Sequence, residues 1–158
     1  IKPFIVLLIA CLSVQCSSAQ QNTANSKKVN AEFMSEKSIE ASFSNGNYYV
    51  SLEAGANTVF EITSTNGGDP RNDMQIKTSL IFEINSDVSS FKMTDISNAY
   101  LRRHCRCVDA GYNIVKSGSI SGSKNANGTW ELVLKVEATG NDTNKSYSFV
   151  FEGVVHEN

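Results

Sequence analysis

The sequence predicts an all-β, mainly antiparallel fold, a β-sandwich or small β-barrel, with one short helix near 97–109 as its only departure. Three observations lead there. Apolar and polar side chains alternate with a period of two over much of the chain beyond residue 38, the signature of half-buried strands. Asn-Gly and Gly-rich clusters punctuate those runs at hairpin spacing. No long helical crossover separates them, which removes the parallel α/β architectures.

The N-terminus is a processing signal. Lys2 precedes an apolar run of 11 residues, Phe4 to Val14, after which the chain turns polar. A basic start, a short apolar stretch and a small-residue exit describe a secretory signal peptide over 1–19. Ser17-Ser18-Ala19 supplies small residues where a signal peptidase reads them, which favours cleavage before Gln20. The run falls short of the about 20 apolar residues that cross a bilayer, and no later segment reaches that length. Two cysteines offer a lipidated exit instead. Leu8-Ile9-Ala10-Cys11 looks like a lipobox, whereas Cys16 has the better-placed apolar run but bulky Gln15 before it. Either product is exported, as a periplasmic, cell-surface or secreted protein, soluble or held by a lipid anchor. Residues 20–37 are rich in Gln, Asn, Ser and Lys and read as a flexible polar tether. A single β-rich domain then occupies 38–158.

The first hairpin is the most specific local signal. Asn45-Gly46 fits a type I′ turn, since both positions need positive φ. A two-residue loop sets Phe43 opposite Tyr48, Ala41 opposite Val50 and Ile39 opposite Leu52, with all six on one face. Turn chemistry and hydrophobic pattern choose the same register, and a one-residue slip destroys the agreement. Thr58–Thr63 follows, with Phe60 and Ile62 together, and then a turn cluster at Asn66-Gly67-Gly68-Asp69-Pro70. From Met74 to Ile84 every second residue (Met74, Ile76, Thr78, Leu80, Phe82, Ile84) shares a face. Tyr112–Ser123 reads as a strand in which Gly118 and Gly122 mark a bend or bulge. Beyond the turn at Asn125–Gly128, Trp130, Leu132, Leu134, Val136 and Ala138 line one face, and Tyr147, Phe149, Phe151 and Val155 line another.

The stretch from Asp95 to Gly111 breaks the pattern. As a helix it stacks Leu101, Cys105 and Val108 in one stripe, turns Arg102, Arg103 and Arg106 outward and stops at Gly111. As a strand it sets Arg103 beside two thiols on one face, so the helix is the favoured reading. The three arginines are either a solvated face or a contact for carboxylates or phosphates. His104, Cys105 and Cys107 form the one reactive-looking group. They are packing thiols or a local disulfide, an intermolecular bond, or a metal or redox site. A local disulfide is expected to be awkward, because neighbouring positions on one strand face put the Cα atoms near or beyond the usual limit of about 7 Å.

Composition excludes more than it selects. The formal charge of −2 becomes −3 once Lys2 leaves, and a mildly acidic chain has no phosphate-seeking excess of Lys and Arg. Nucleic acid is therefore not an expected partner. No phosphate loop, nucleophile elbow, His-Glu-x-x-His pair or dinucleotide fingerprint occurs, so neither an enzyme nor a cofactor is expected. Asn127, Asn141 and Asn144 each begin a glycosylation acceptor triplet in a loop. Trp130, Tyr48, Tyr49 and Tyr112 are either core or an aromatic platform for sugar or lipid.

Three functions remain. The first is an exported, non-catalytic domain that binds a small ligand or a protein partner. The second is a structural or adhesive protein of the cell surface, and the third a thiol or metal protein built on His104, Cys105 and Cys107.

Overall fold

The computed structural model describes residues 27–66 and 76–158. The leader 1–19, both lipidation candidates Cys11 and Cys16, the first part of the tether and most of the turn cluster after Asn66 lie outside that range. The described residues are all-β, with no helix. Nine strands follow in order: β1 Lys28–Ser44, β2 Asn47–Ala54, β3 Asn57–Thr65, β4 Lys77–Asn85, β5 Ser90–Met93, β6 Ala99–His104, β7 Gly111–Lys124, β8 Trp130–Thr139 and β9 Ser146–Glu157.

They form one mixed sheet with neighbour order β2-β1-β3-β4-β6-β7-β8-β9, and β5 lies against β7. Every pairing is antiparallel except a short parallel contact of β1 with β9, Glu32 opposite His156 and Phe33 opposite Glu157. That contact and a β2–β7 bridge turn the sheet back on itself, in the manner of a sandwich or a barrel. The predicted hairpin register is the observed one: Phe43 opposes Tyr48, Ala41 opposes Val50 and Ile39 opposes Leu52. Asn45 and Gly46 take φ of 50° and 79°, as a primed turn demands.

Two apolar clusters hold the layers. The larger lies between β3-β4-β6 and β7-β8-β9 and contains Phe60, Phe82, Leu101, Ile120, Trp130 and Leu134. Phe60 stacks on Phe82 at 5.0 Å and meets the edge of Trp130 at 5.5 Å. The smaller lies on the opposite side of β3-β4-β6, where Val59, Ile81 and Tyr100 are covered by Ile39, Tyr48, Val50 and Leu52 of the first hairpin. The middle strands are thus buried on both faces.

This double burial explains two departures from the sequence reading. The helix near 97–109 does not form, because 99–104 is β6. Ala99 and Leu101 enter the large cluster while Tyr100 enters the small one. A strand buried on both sides loses its alternation and mimics a helical stripe. Arg103 poses no burial problem, since β6 ends at His104 before either cysteine. The tether reading also fails from Lys28 onward. Residues 28–37 open β1, with Phe33 in the large core and Met34 against the small one.

The bend expected at Gly118 lies in β7, whose register against β8 shifts between Val115 and Ser117. Gly118 has φ 129°, and a Cβ there would strike the Lys135 carbonyl. β5 went unread in the sequence, although Phe91 and Met93 pack against the core.

Trp130 is 1% exposed at the centre of the aromatic group. Truncation, Trp130→Ala, is expected to cost about 3–5 kcal/mol. Val133→Thr, on the open face of the same strand, should stay within about 0.5 kcal/mol. Denaturant unfolding followed by far-UV circular dichroism measures both, and equal effects would contradict this assignment of faces.

Candidate functional site

The first hairpin leans on β3-β4-β6 through its apolar face, and its far edge meets β7 at a single bridge, Tyr48 opposite Tyr112. From there the hairpin and the β6–β7 end part, leaving an open groove of about 600 Å³. Glu40, Ser42, Tyr48, Tyr49, Arg102 and Tyr112 line it. Tyr49 is 55% exposed and stands on the outer face of the hairpin, opposite Ser42. Arg102 holds its guanidinium 5.1 Å above the Tyr112 ring, so cation and ring reach the groove as a unit. The groove presents aromatic faces, tyrosyl hydroxyls and one charge of each sign.

The wall formed by β6 and β7 is set by a polar knot. Asp109, at φ 62° and 1% exposed, occupies the turn between these strands. Its carboxylate accepts hydrogen bonds from the Asp142 amide (2.7 Å), the Thr143 amide (3.0 Å), the Tyr147 hydroxyl (2.8 Å) and the Thr143 hydroxyl. Burial pushes the Asp109 carboxyl up, but donors from Thr143, Tyr147 and Asp142 more than offset it and hold the group well below the usual carboxylate range. Burial and the bond to Asp109 push the Tyr147 hydroxyl up, which keeps it a donor. Beside them Asn113, fully buried, donates to the Asp109, Gly111 and Leu101 carbonyls and accepts from the Asn141 amide. Asn141 in turn donates to the Tyr112 carbonyl at 2.7 Å. Loop 140–145 therefore fixes Tyr112, one wall of the groove.

The residues singled out in the sequence separate. Arg102 faces the groove, whereas Arg103 donates to the Val108 carbonyl at 3.0 Å and stacks 4.0 Å from the Tyr147 ring. Arg106 is exposed in the turn, so the three do not form the single outward face that a helix implied. Cys105 and Cys107 are joined to each other, with Cα atoms 5.3 Å apart. The expected awkwardness assumed a strand, and the cysteines lie in the bend after it. Bonded sulfurs are not thiolate ligands, and no group of three or more His, Cys, Asp or Glu able to hold a metal occurs among the described residues.

His104 lies 3.3 Å from the Ser79 hydroxyl, which is 2.8 Å from that of Thr63. Burial and the charges of Arg102 and Lys77 push His104 below its ordinary pKa. A serine–histidine contact suggests a nucleophile and base, but Ser79 is 2% exposed and shares its hydroxyl with Thr63. The row ties β3, β4 and β6 together.

Trp130 belongs to the core; Tyr48 and Tyr112 border the groove while packing against the small cluster, and Tyr49 lines it from the outer face of the hairpin. Of the glycosylation triplets, Asn127 and Asn144 are exposed, whereas Asn141 already uses its amide nitrogen on Tyr112. The sequence reading missed Asp109 and Asn113. Their one signal is an Asp and an Asn flanking Gly111 in a turn, residues that tolerate positive φ and bond nearby backbone.

A carboxylate with a folded-state pKa below its unfolded value of about 4 stabilises the fold fully above that pH. The contribution drains away as pH falls below it toward the folded value. Asp109→Asn should therefore lower the thermal midpoint at neutral pH and flatten its decline below about pH 4, in scanning calorimetry from neutral to acid. An unchanged acid slope would show that Asp109 does not carry this dependence. Among the described residues no helix is long and apolar enough to cross a membrane. No protein-family model matches the chain, and no curated protein or solved structure matches it either.

Proposed function

We propose that this is an exported, non-catalytic binding domain whose groove takes a small ligand with a flat apolar face and hydroxyl-rich edges, the chemistry of a saccharide. The observation that carries the reading is the meeting at one groove of Tyr49, Arg102 and Glu40, outside both cores, with Tyr48 and Tyr112, which pack against the small cluster and border the groove from that side. Ring faces stack on the apolar side of a sugar, while charged and hydroxyl groups bond its rim. The leader pattern supports export, and so does a disulfide, which persists in oxidising compartments.

Titration calorimetry of the processed protein against neutral and acidic oligosaccharides tests it. Tyr49→Ala and Tyr112→Ala should each weaken binding roughly tenfold, the equivalent of about 1.4 kcal/mol. Arg102→Ala should weaken acidic sugars more than neutral ones. Failure of every saccharide, or binding indifferent to both tyrosines, would refute the proposal.

A further inference from the structure

We propose that the Cys105–Cys107 disulfide is an exchange site that takes two electrons from a dithiol, a function separate from ligand binding in the groove. The bond is redundant as a brace. It closes a ring around one residue, Arg106, and so removes less chain entropy from the unfolded state than a longer closure does. The turn it spans is held by other means. Arg103 donates to the Val108 carbonyl, the Ala110 amide donates to the Cys107 carbonyl at 3.3 Å, and Asp109 is clamped by loop 140–145. Opening the sulfur–sulfur bond therefore leaves the turn's other ties in place.

Access favours opening. Cys107 is exposed and Cys105 half-buried, so an incoming thiolate meets Cys107 first.

The exchange balances in two steps. A substrate thiolate attacks Cys107 Sγ, a mixed disulfide forms, and the Cys105–Cys107 bond breaks with its electron pair leaving on Cys105 Sγ. The substrate's second thiolate then attacks its own sulfur in the mixed disulfide, closes the substrate disulfide and releases Cys107 as thiolate. The substrate loses two electrons and two protons, and the protein gains them as two thiols.

The test incubates the oxidised full chain, without denaturant and under anaerobic conditions, with excess synthetic peptide bearing two cysteines. Acid quenching, alkylation and mass spectrometry count the products. The expected result is one peptide disulfide for each protein dithiol, with reduced protein retaining its far-UV spectrum and cooperative melt. Tyr49→Ala should exchange at the wild-type rate, which separates this proposal from the groove. Three results would overturn it: a disulfide that yields only after denaturant is added, two free thiols in the air-exposed protein, or loss of the fold on reduction.

Discussion

Apolar side chains on both faces of β3, β4 and β6 impose the constraint from which the architecture follows. A sheet wet on one side needs one cover, whereas this one needs two. Burying a large apolar side chain contributes about 1.5–3 kcal/mol, so leaving Val59, Ile81 and Tyr100 in water would forfeit much of a small domain's net stability. The β7-β8-β9 layer covers one face and the first hairpin the other. Two long strands make this feasible by serving two layers each. β1 pairs with β3 over its first part and β2 over its second, with an irregularity between Met34 and Lys37 where Glu36 turns to φ 56°. β7 leaves β6 for β8 at the shift beside Gly118. Past the first bend, the Ile39 amide donates to the Glu83 carboxylate at 2.8 Å and pins the hairpin over β4.

The groove is a consequence of that second cover. A two-stranded hairpin laid over a wider sheet leaves a seam at its edge, and here one bridge spans the seam before the strands part. Unsupported, the β6–β7 end would fray, since a turn exposing backbone groups has little to hold it. Asp109 and Asn113 prevent this by bonding loop 140–145 to the turn. An ionised carboxylate engaged by two amides and two hydroxyls forms charge-assisted bonds, stronger than neutral ones. Satisfaction of the knot therefore fixes the groove wall as well as the turn.

Local signals in the chain specify the hairpin, β8 and β9, because each pairs a turn with clean alternation. They fail where burial is two-sided. Ile81 looks like a lapse in the polar face of its strand, yet it is the floor of the small cluster. Tyr100 beside Leu101 looks helical for the same reason. Residues 28–37 look like tether because charged and polar side chains interrupt the alternation around Phe33. Within the site, the three tyrosines and Arg102 were legible as residue types, but their meeting depends on β2 reaching β7. Nothing local encodes a contact between Tyr48 and Tyr112. Asp109 and Asn113 were invisible for a related reason, since their partners lie about thirty residues away along the chain.

The rigidity of the groove bears on what it can do. Tyr48 contacts Phe43 at 4.7 Å and Tyr100 at 5.8 Å, so its ring is held from the core side. Tyr112 is held through its backbone by Asn141 and through its ring by Arg102. A ligand settling on these rings has little protein motion to arrest, and the ordering cost that weakens most binding sites is largely met during folding. Tyr49 differs, being the exposed ring of the three with no aromatic partner among the described residues. Two rings held against the small cluster and one freer ring on the outer face of the hairpin give the groove a fixed border and an adaptable one. A packed core has no use for that division, because there every ring must be fixed to exclude water. On the proposed reading, the difference in restraint among three neighbouring tyrosines is what distinguishes the border of a groove from an unfinished core.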